Sequence, residues 1–145
     1  MTLPVVLDSD GLDALCHPSP PPAFRALLRE AYERRRDVLV PAVVCAEACR
    51  GAARTRGVEA AVARHASSRG QLPAVRVVIT DFDLARQVGA VLHGAGAGSA
   101  DMVDAHVLAV CARHGGGLVV TADAGDIERL AQAVPSARVV ARPAR

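Results

Sequence analysis

The sequence predicts an α/β domain in which a mostly parallel central sheet of four to five strands is covered by helices on both faces. Short apolar runs rich in Val and Leu alternate with longer segments whose apolar residues recur at helical spacing. Apolar strands separated by helices are typical of a parallel sheet. The 145 residues contain no internal repeat and no linker, so we expect a single domain over residues 1–145.

Strand and helix signals alternate regularly in the first half of the chain. The first apolar run ends at the polar turn Asp8-Ser9-Asp10-Gly11, and a proline-rich stretch at 18–22 separates two helical segments. A later helix opens at Pro41. The expected elements are a strand at 3–7, helices at 12–16 and 23–36, a strand at 38–40, helices at 41–49 and 58–68, and a strand at 75–79.

The second half continues the alternation. A glycine-rich loop is expected at 94–98, and Ser99 is suited to the N-cap of the helix that follows. Three consecutive glycines at 115–117 are expected to end that helix. The expected elements are helices at 84–92 and 100–113, a strand at 118–120, a helix at 127–134 and a short strand at 139–140.

Composition excludes several classes of function. Aromatic residues make up only 2% of the chain, so base stacking on aromatic side chains is not a main binding mode. All 17 basic residues are Arg, which excludes P-loop and Schiff-base chemistry that needs Lys. No apolar stretch is long enough to span a bilayer. Four cysteines in apolar runs and the lack of a signal peptide predict buried thiols in a reducing, cytoplasmic compartment.

Carboxylates follow the predicted strand ends and begin the predicted helices. Asp8 follows the first strand, and Asp123 follows the fourth. Asp101 and Asp104 are three residues apart in the first turn of one helix, so both point to one side. Glu47 is the only acidic residue in the apolar helix at 41–49. Each could be a turn or cap residue, but a doubly wound sheet brings them to one edge, where hard oxygen ligands favour Mg²⁺ or Mn²⁺.

The order of these segments resembles the PIN-domain ribonucleases, and in particular the VapC-type toxins of bacterial toxin–antitoxin pairs. The resemblance covers nearly the whole chain, with one departure at Ile127, where the family often has Phe. Four segments carry it: Val5-Val6-Leu7-Asp8-Ser9, Val40-Pro41-Ala42-Val43-Val44-Cys45-Ala46-Glu47, Asp101-Met102-Val103-Asp104-Ala105-His106 and Val119-Val120-Thr121-Ala122-Asp123.

The resemblance implies a role for each acidic residue. The catalytic quartet would be Asp8, Glu47, Asp101 and Asp123. Asp104 matches a less universal position and ranks second, yet it joins Asp8, Asp101 and Asp123 in the expected metal-ligand set. Supporting positions would be Ser9, Thr121 and Asp126.

The activity implied is Mg²⁺- or Mn²⁺-dependent hydrolysis of RNA phosphodiester bonds by the toxin component of a VapBC-type system. The implied partners are an RNA substrate, a cognate VapB-type antitoxin and a second copy of the chain in a homodimer, without a membrane. Arginines near the site are expected to hold the RNA backbone: Arg50, Arg54 and Arg56 first, with Arg25 or Arg29 on the preceding helix.

Three alternatives remain open from the sequence. A haloacid-dehalogenase-like phosphatase would use Asp8 as nucleophile and Asp10 as acid/base, although its Lys is missing. A non-catalytic binding module would keep a degenerate acidic site. A zinc site would draw on Cys45 and Cys49, with His65 and His106 as further ligands, but the spacing of the two cysteines is weak evidence.

Overall fold

One parallel sheet organises the computed structural model, which describes residues 2–145. Its five strands within those residues are β1 (Val5–Leu7), β2 (Val38–Pro41), β3 (Val75–Val78), β4 (Gly116–Val120) and β5 (Arg138–Arg142). They lie in the order β3-β2-β1-β4-β5, and every neighbouring pair is parallel. The first strand of the chain is therefore the centre of the sheet.

Helices connect the strands and cover the sheet. They are α1 (Ser9–Cys16), α2 (Pro22–Glu33), α3 (Ala42–Ala48), α4 (Ala52–Arg64), α5 (Phe82–Ala95), α6 (Met102–Arg113) and α7 (Ala124–Ala131), with a 3₁₀ turn at Ser99–Asp101. The chain moves outward from β1 to β3 and then returns to β4 and β5. Because parallel crossovers are right-handed, this reversal places the helices on both faces. The predicted fold class is confirmed.

Residues at the centre of the sheet form the core. Val5, Val6 and Leu7 of β1 are at most 1% exposed, and α6 is buried continuously from Ala105 to Cys111. Complete burial removes the amphipathic pattern that marks a surface helix, since α6 packs against β1, β2 and β4. No helix within residues 2–145 is long and apolar enough to cross a membrane.

Several predicted boundaries were wrong by a few residues. The helices α1, α4 and α7 begin earlier than predicted because their first turns are polar or exposed and carry little apolar periodicity. Ser99 is not the N-cap of α6; it starts the 3₁₀ turn, and α6 begins at Met102. The helix α5 extends into the expected loop and ends at Ala95, where Gly96 caps it with a left-handed φ of 62°.

The strand β4 also begins earlier than predicted. Gly116 pairs with Arg138 of β5 and has a φ of 143°. A Cβ atom at this position would lie 2.1 Å from the Arg138 carbonyl oxygen. The glycine run therefore allows close strand pairing as well as ending the preceding helix.

Candidate active site

Asp8 and Thr121 lie side by side at the carboxyl edge of the sheet. The register pairs Leu7 of β1 with Val120 of β4, so the residues that follow these strands are neighbours. The Thr121 hydroxyl donates a hydrogen bond of 2.8 Å to the Asp8 carboxylate and accepts one of 3.0 Å from the backbone N–H of Asp123. One buried hydroxyl thus connects the carboxylate of Asp8 with the backbone of Asp123.

Glu47 reaches the same edge from α3. The Ser9 hydroxyl, in the first turn of α1, donates a hydrogen bond of 2.8 Å to Glu47 Oε1. The negative charge of Glu47 contributes to raising the pKa of Asp8, so the two carboxylates are close enough to repel. Ser9 therefore orients an exposed carboxylate beside a buried one.

Asp8 and Asp104 are held in surroundings that disfavour their ionised forms. Burial is the main cause that raises the pKa of Asp8, and Glu47 and Asp123 add to the shift while the hydrogen bond from Thr121 opposes it. The pKa of Asp104 is raised to about 6, first by burial and then by the charges of four other Asp residues: Asp8, Asp126, Asp123 and Asp101. We call Asp8, Glu47, Asp104 and Asp123 the acidic cluster.

The carboxylates at helix starts do not serve as caps. Asp8, Asp101 and Asp123 occupy the N-cap positions of α1, α6 and α7, and no side-chain capping hydrogen bond forms at any of them. Asp81, by contrast, accepts a 2.8 Å hydrogen bond from the backbone N–H of Leu84 at the start of α5. Helix capping therefore does not explain the carboxylates at the carboxyl edge.

Asp101 and Asp126 lie at the border of the acidic cluster and share a cation. An Arg129 nitrogen lies 2.9 Å from a carboxylate oxygen of Asp101 and 3.6 Å from one of Asp126. Among the four charges that raise the pKa of Asp104, Asp101 makes the smallest contribution. Asp101 is therefore paired with a cation, whereas Asp104, which ranked second from the sequence, is half-buried and its pKa is raised by other carboxylates.

The donor set suits a divalent ion in its chemistry but does not form a complete coordination shell. Carboxylate oxygens that repel one another are an environment in which Mg²⁺ or Mn²⁺ is stabilising. Within residues 2–145, however, no group of three or more His, Cys, Asp or Glu side chains is arranged so that it could hold a metal ion. Glu47 and Asp123 are exposed, whereas Asp8 is buried and Asp104 is half-buried.

Two of the three predicted RNA-binding arginines lie next to the acidic cluster. Arg50 and Arg54 line a cavity of about 330 Å³ together with Ser9 and Glu47. Arg54 is also 3.5 Å from a carboxylate oxygen of Asp13 on α1. Arg56 is exposed on α4 and does not line this cavity.

The structure gives Asp10 a tethering contact. Its carboxylate accepts a 2.7 Å hydrogen bond from the backbone N–H of Ala144, which fixes the C-terminal segment to α1. The acid/base residue of the phosphatase alternative is therefore already engaged with the backbone.

The ligands of the zinc alternative do not assemble into a site in the described part of the chain. His106 is buried in α6, where its Nδ1 is 2.8 Å from the Met102 carbonyl oxygen. Burial is the main cause that raises the pKa of Cys45, which disfavours the thiolate that zinc requires.

Arg129 is the site residue that sequence reasoning missed. Its spacing to Asp126, three residues along α7, is a weak signal for a helical ion pair. Its closer partner, Asp101, is 28 residues away in the chain. Only the packing of α6 against α7 reveals that this Arg neutralises the border of the acidic cluster.

The chain matches one known family model. The family model of the PIN domain matches residues 19–133, so the chain belongs to the PIN domain family. PIN domains are generally nucleases and typically use divalent metals. No match was found among curated proteins.

The matched residues begin after β1, so Asp8 and Ser9 lie outside them. Their connection to the domain is structural, since β1 pairs with β2 on one side and β4 on the other.

Proposed function

We propose that this protein is a divalent-metal-dependent endoribonuclease whose active site is the acidic cluster. The observation that carries the proposal is the pair of buried or half-buried carboxylates, Asp8 and Asp104, whose pKa values are raised among other carboxylates. Such an arrangement costs stability in the absence of a cation, and functional sites are where such costs concentrate. Membership of a nuclease family supports the same activity.

Each residue of the acidic cluster has a proposed role. Asp8, Asp104 and Asp123 would hold Mg²⁺ or Mn²⁺, with Glu47 completing the set from α3. When bound, the ion would supply positive charge against the attacked phosphate and lower the pKa of a bound water. Thr121 fixes the orientation of Asp8, and Ser9 fixes that of Glu47.

The groups around the acidic cluster have supporting roles. Arg50 and Arg54 stand beside Ser9 and Glu47, where their guanidinium groups can bind the phosphates that flank the cleaved bond. Asp101 and Asp126, which Arg129 partly neutralises, would act from the border of the cluster.

Cleavage of labelled RNA by the purified protein tests this proposal. We expect cleavage with Mg²⁺ or Mn²⁺, loss of cleavage with EDTA, and loss of activity in Asp8→Asn. Asp10→Asn is the matched control, because its side-chain oxygen can still accept the bond from Ala144. Activity that survives thorough chelation, or an Asp8→Asn protein as active as the parent, would contradict it.

We further propose that the protein is the toxin of a VapBC-type pair. The four segments and their order resemble VapC-type toxins over nearly the whole chain, and this resemblance supports the assignment. A cognate VapB-type antitoxin and a homodimer follow from it as proposed partners. The single domain over 1–145 and the cytoplasmic location stay predictions.

Expression in a bacterial host without any partner tests the toxin assignment. The parent is expected to arrest growth and degrade RNA, whereas Asp8→Asn is expected to do neither. Unchanged growth and intact RNA at equal protein levels would remove the toxin assignment while leaving the nuclease activity to be judged in vitro.

A further inference from the structure

A second cavity, at the other end of α1 from the acidic cluster, is lined by arginines. It has a volume of about 570 Å³ and lies between the end of α1, the middle of α2, the end of α4 and the turn that follows α4. Leu15, Leu28 and Leu72 give it an apolar lining, and no Asp or Glu lines it. The charged side chains around it are Arg25, Arg29, Arg64 and Arg69, which together define what we call the arginine pocket.

In the described part of the chain, no carboxylate lies within ion-pair distance of the four guanidinium groups of the arginine pocket. Within residues 2–145, none of the four forms an ion pair with a carboxylate, whereas Arg34, Arg54, Arg86, Arg113 and Arg129 do. Burial lowers the pKa of His65, which also lines the pocket, and the charges of Arg64 and Arg69 lower it further. The cavity therefore has a positive potential that an anion would relieve.

A row of arginines connects the arginine pocket with the acidic cluster along α1. Arg50 lies beside Ser9 at the start of this helix, and Arg54 contacts Asp13. Arg64 donates a hydrogen bond of 3.4 Å to the carbonyl oxygen of Leu15 near the end of the helix. A helix of eight residues is about 12 Å long, so the row spans a distance that a few nucleotides of single-stranded RNA would cover.

We propose that the arginine pocket binds the backbone of the RNA strand a few nucleotides away from the cleaved bond, and this rests on the proposed function. A polyanion is repelled by the carboxylates of the acidic cluster, so the strand needs cationic contacts on its flank. Arg is suited to this role because its planar group binds phosphate through two nitrogens and stacks on bases. The leucines of the lining offer an apolar surface to an unstacked base.

Binding of RNA without cleavage is the direct test. The probe is a fluorescein-labelled single-stranded RNA of about 12 nucleotides, a length within the range of known single-strand binding surfaces. It is titrated with the Asp8→Asn protein in EDTA, so that no cleavage occurs. Anisotropy is measured over a range of salt concentrations.

The variants remove equal charge at two places. The double variant Arg25→Gln with Arg29→Gln removes two charges from the arginine pocket. It leaves in place the hydrogen bond that Arg64 donates to the backbone. Arg138→Gln with Arg142→Gln is the matched control, because both residues lie on β5 and outside the pocket. Thermal melts verify that all proteins are folded. A second pocket variant, Arg69→Gln alone, guards against an effect of α2 on folding.

The Arg25→Gln with Arg29→Gln protein is expected to weaken RNA binding by about fivefold to tenfold and to reduce the salt slope by ~1.4 for two lost phosphate contacts on a single strand, and Arg69→Gln by about half that slope. The control pair is expected to change affinity less than about twofold. In the parent, RNA is expected to shift the ring resonances of His65. Equal losses in both pairs, or no loss in the pocket pair, would overturn the proposal.

The same titrations separate this proposal from the proposed function. If the wild-type protein does not cleave RNA but the pocket variants lose RNA affinity, the nuclease assignment fails and the pocket assignment stands. If the wild-type protein cleaves RNA and the pocket variants bind RNA as well as the parent, the pocket assignment fails and the nuclease assignment stands. An acidic peptide that binds at the pocket while RNA does not would overturn it in favour of a protein partner.

Discussion

At the scale of single residues, Asp104 links the stability of the metal-free protein to pH. Its folded-state pKa of about 6 lies above the ordinary value of 3.8, so the ionised form opposes folding. As pH falls through 6 toward 3.8, the folded protein binds a proton before the unfolded chain does, and stability from this group is gained. As pH rises through 6, that stability is lost.

The stability of the metal-free protein, measured by thermal unfolding in EDTA, should therefore depend on pH. From pH 5 to pH 7.5 we expect the free energy of unfolding to fall by about 1 kcal/mol, a value reduced for solvent screening of the half-buried Asp104 side chain. Asp104→Asn should reduce this dependence and be more stable than the parent at pH 7.5. A variant with an unchanged pH dependence would show that Asp104 is not the perturbed group.

Substitution of Asp101 should change the melting temperature in the opposite direction to substitution of Asp104. It is paired with Arg129, so Asp101→Asn removes an attractive contact, whereas Asp104→Asn removes a repulsive one. We expect the melting temperature in EDTA at pH 7.5 to fall slightly for Asp101→Asn and to rise for Asp104→Asn. The two residues are three positions apart, so the comparison is closely matched. Equal shifts in both would contradict the ion pair with Arg129.

At the scale of helices and strands, the sequence predicted which elements meet at the carboxyl edge of the sheet. It did not predict which acidic side chains there are buried and which are paired with an Arg. Asp8 and Asp123 could be placed at one edge because apolar runs end just before them. Only the family resemblance ranked Asp101 above Asp104, because spacing assigned both to the first turn of one helix and could not separate them. The true start of α6 at Met102 and the ion pair to α7 distinguish them. Both depend on packing between distant segments.

Gly116 is where strand pairing depends most directly on one residue. A Cβ there would overlap the Arg138 carbonyl, and its φ of 143° is unfavourable for other residues. Gly116→Ala is expected to destabilise the protein by about 2–4 kcal/mol, measured by urea unfolding. Gly89→Ala in α5 is the control, since a Cβ there meets nothing within 4 Å; it should stabilise by about 0.5–1 kcal/mol. Similar effects at both glycines would contradict the strand geometry.

At the scale of the whole molecule, charge is separated rather than large. The net charge is only +2, yet carboxylates gather at the carboxyl edge of the sheet, while four arginines that form no ion pair within residues 2–145 line the arginine pocket. Composition could not show this separation, because it depends on how α1, α2 and α4 pack. A divalent ion at the acidic cluster would relieve the repulsion that the folded state contains.

Metal should therefore stabilise the fold by mass action. At a free Mn²⁺ concentration 100 times its dissociation constant, binding to the native state alone contributes about 2.7 kcal/mol. The melting temperature of the parent is expected to rise with Mn²⁺, and that of Asp104→Asn to rise less at equal concentration. Calorimetric melts measure both, with Asp10→Asn as a control that should respond like the parent.

The rate of RNA cleavage as a function of Mn²⁺ concentration tests the central claim most directly. The parent and Asp10→Asn are expected to cleave one labelled RNA with rates that rise and saturate as Mn²⁺ is added. Asp104→Asn is expected to be at least about 100-fold slower at every concentration, since it lacks one of the proposed ligands. If Asp104→Asn cleaves as fast as the parent, or if the parent cleaves equally well without the ion, the acidic cluster is not a metal-dependent nuclease site.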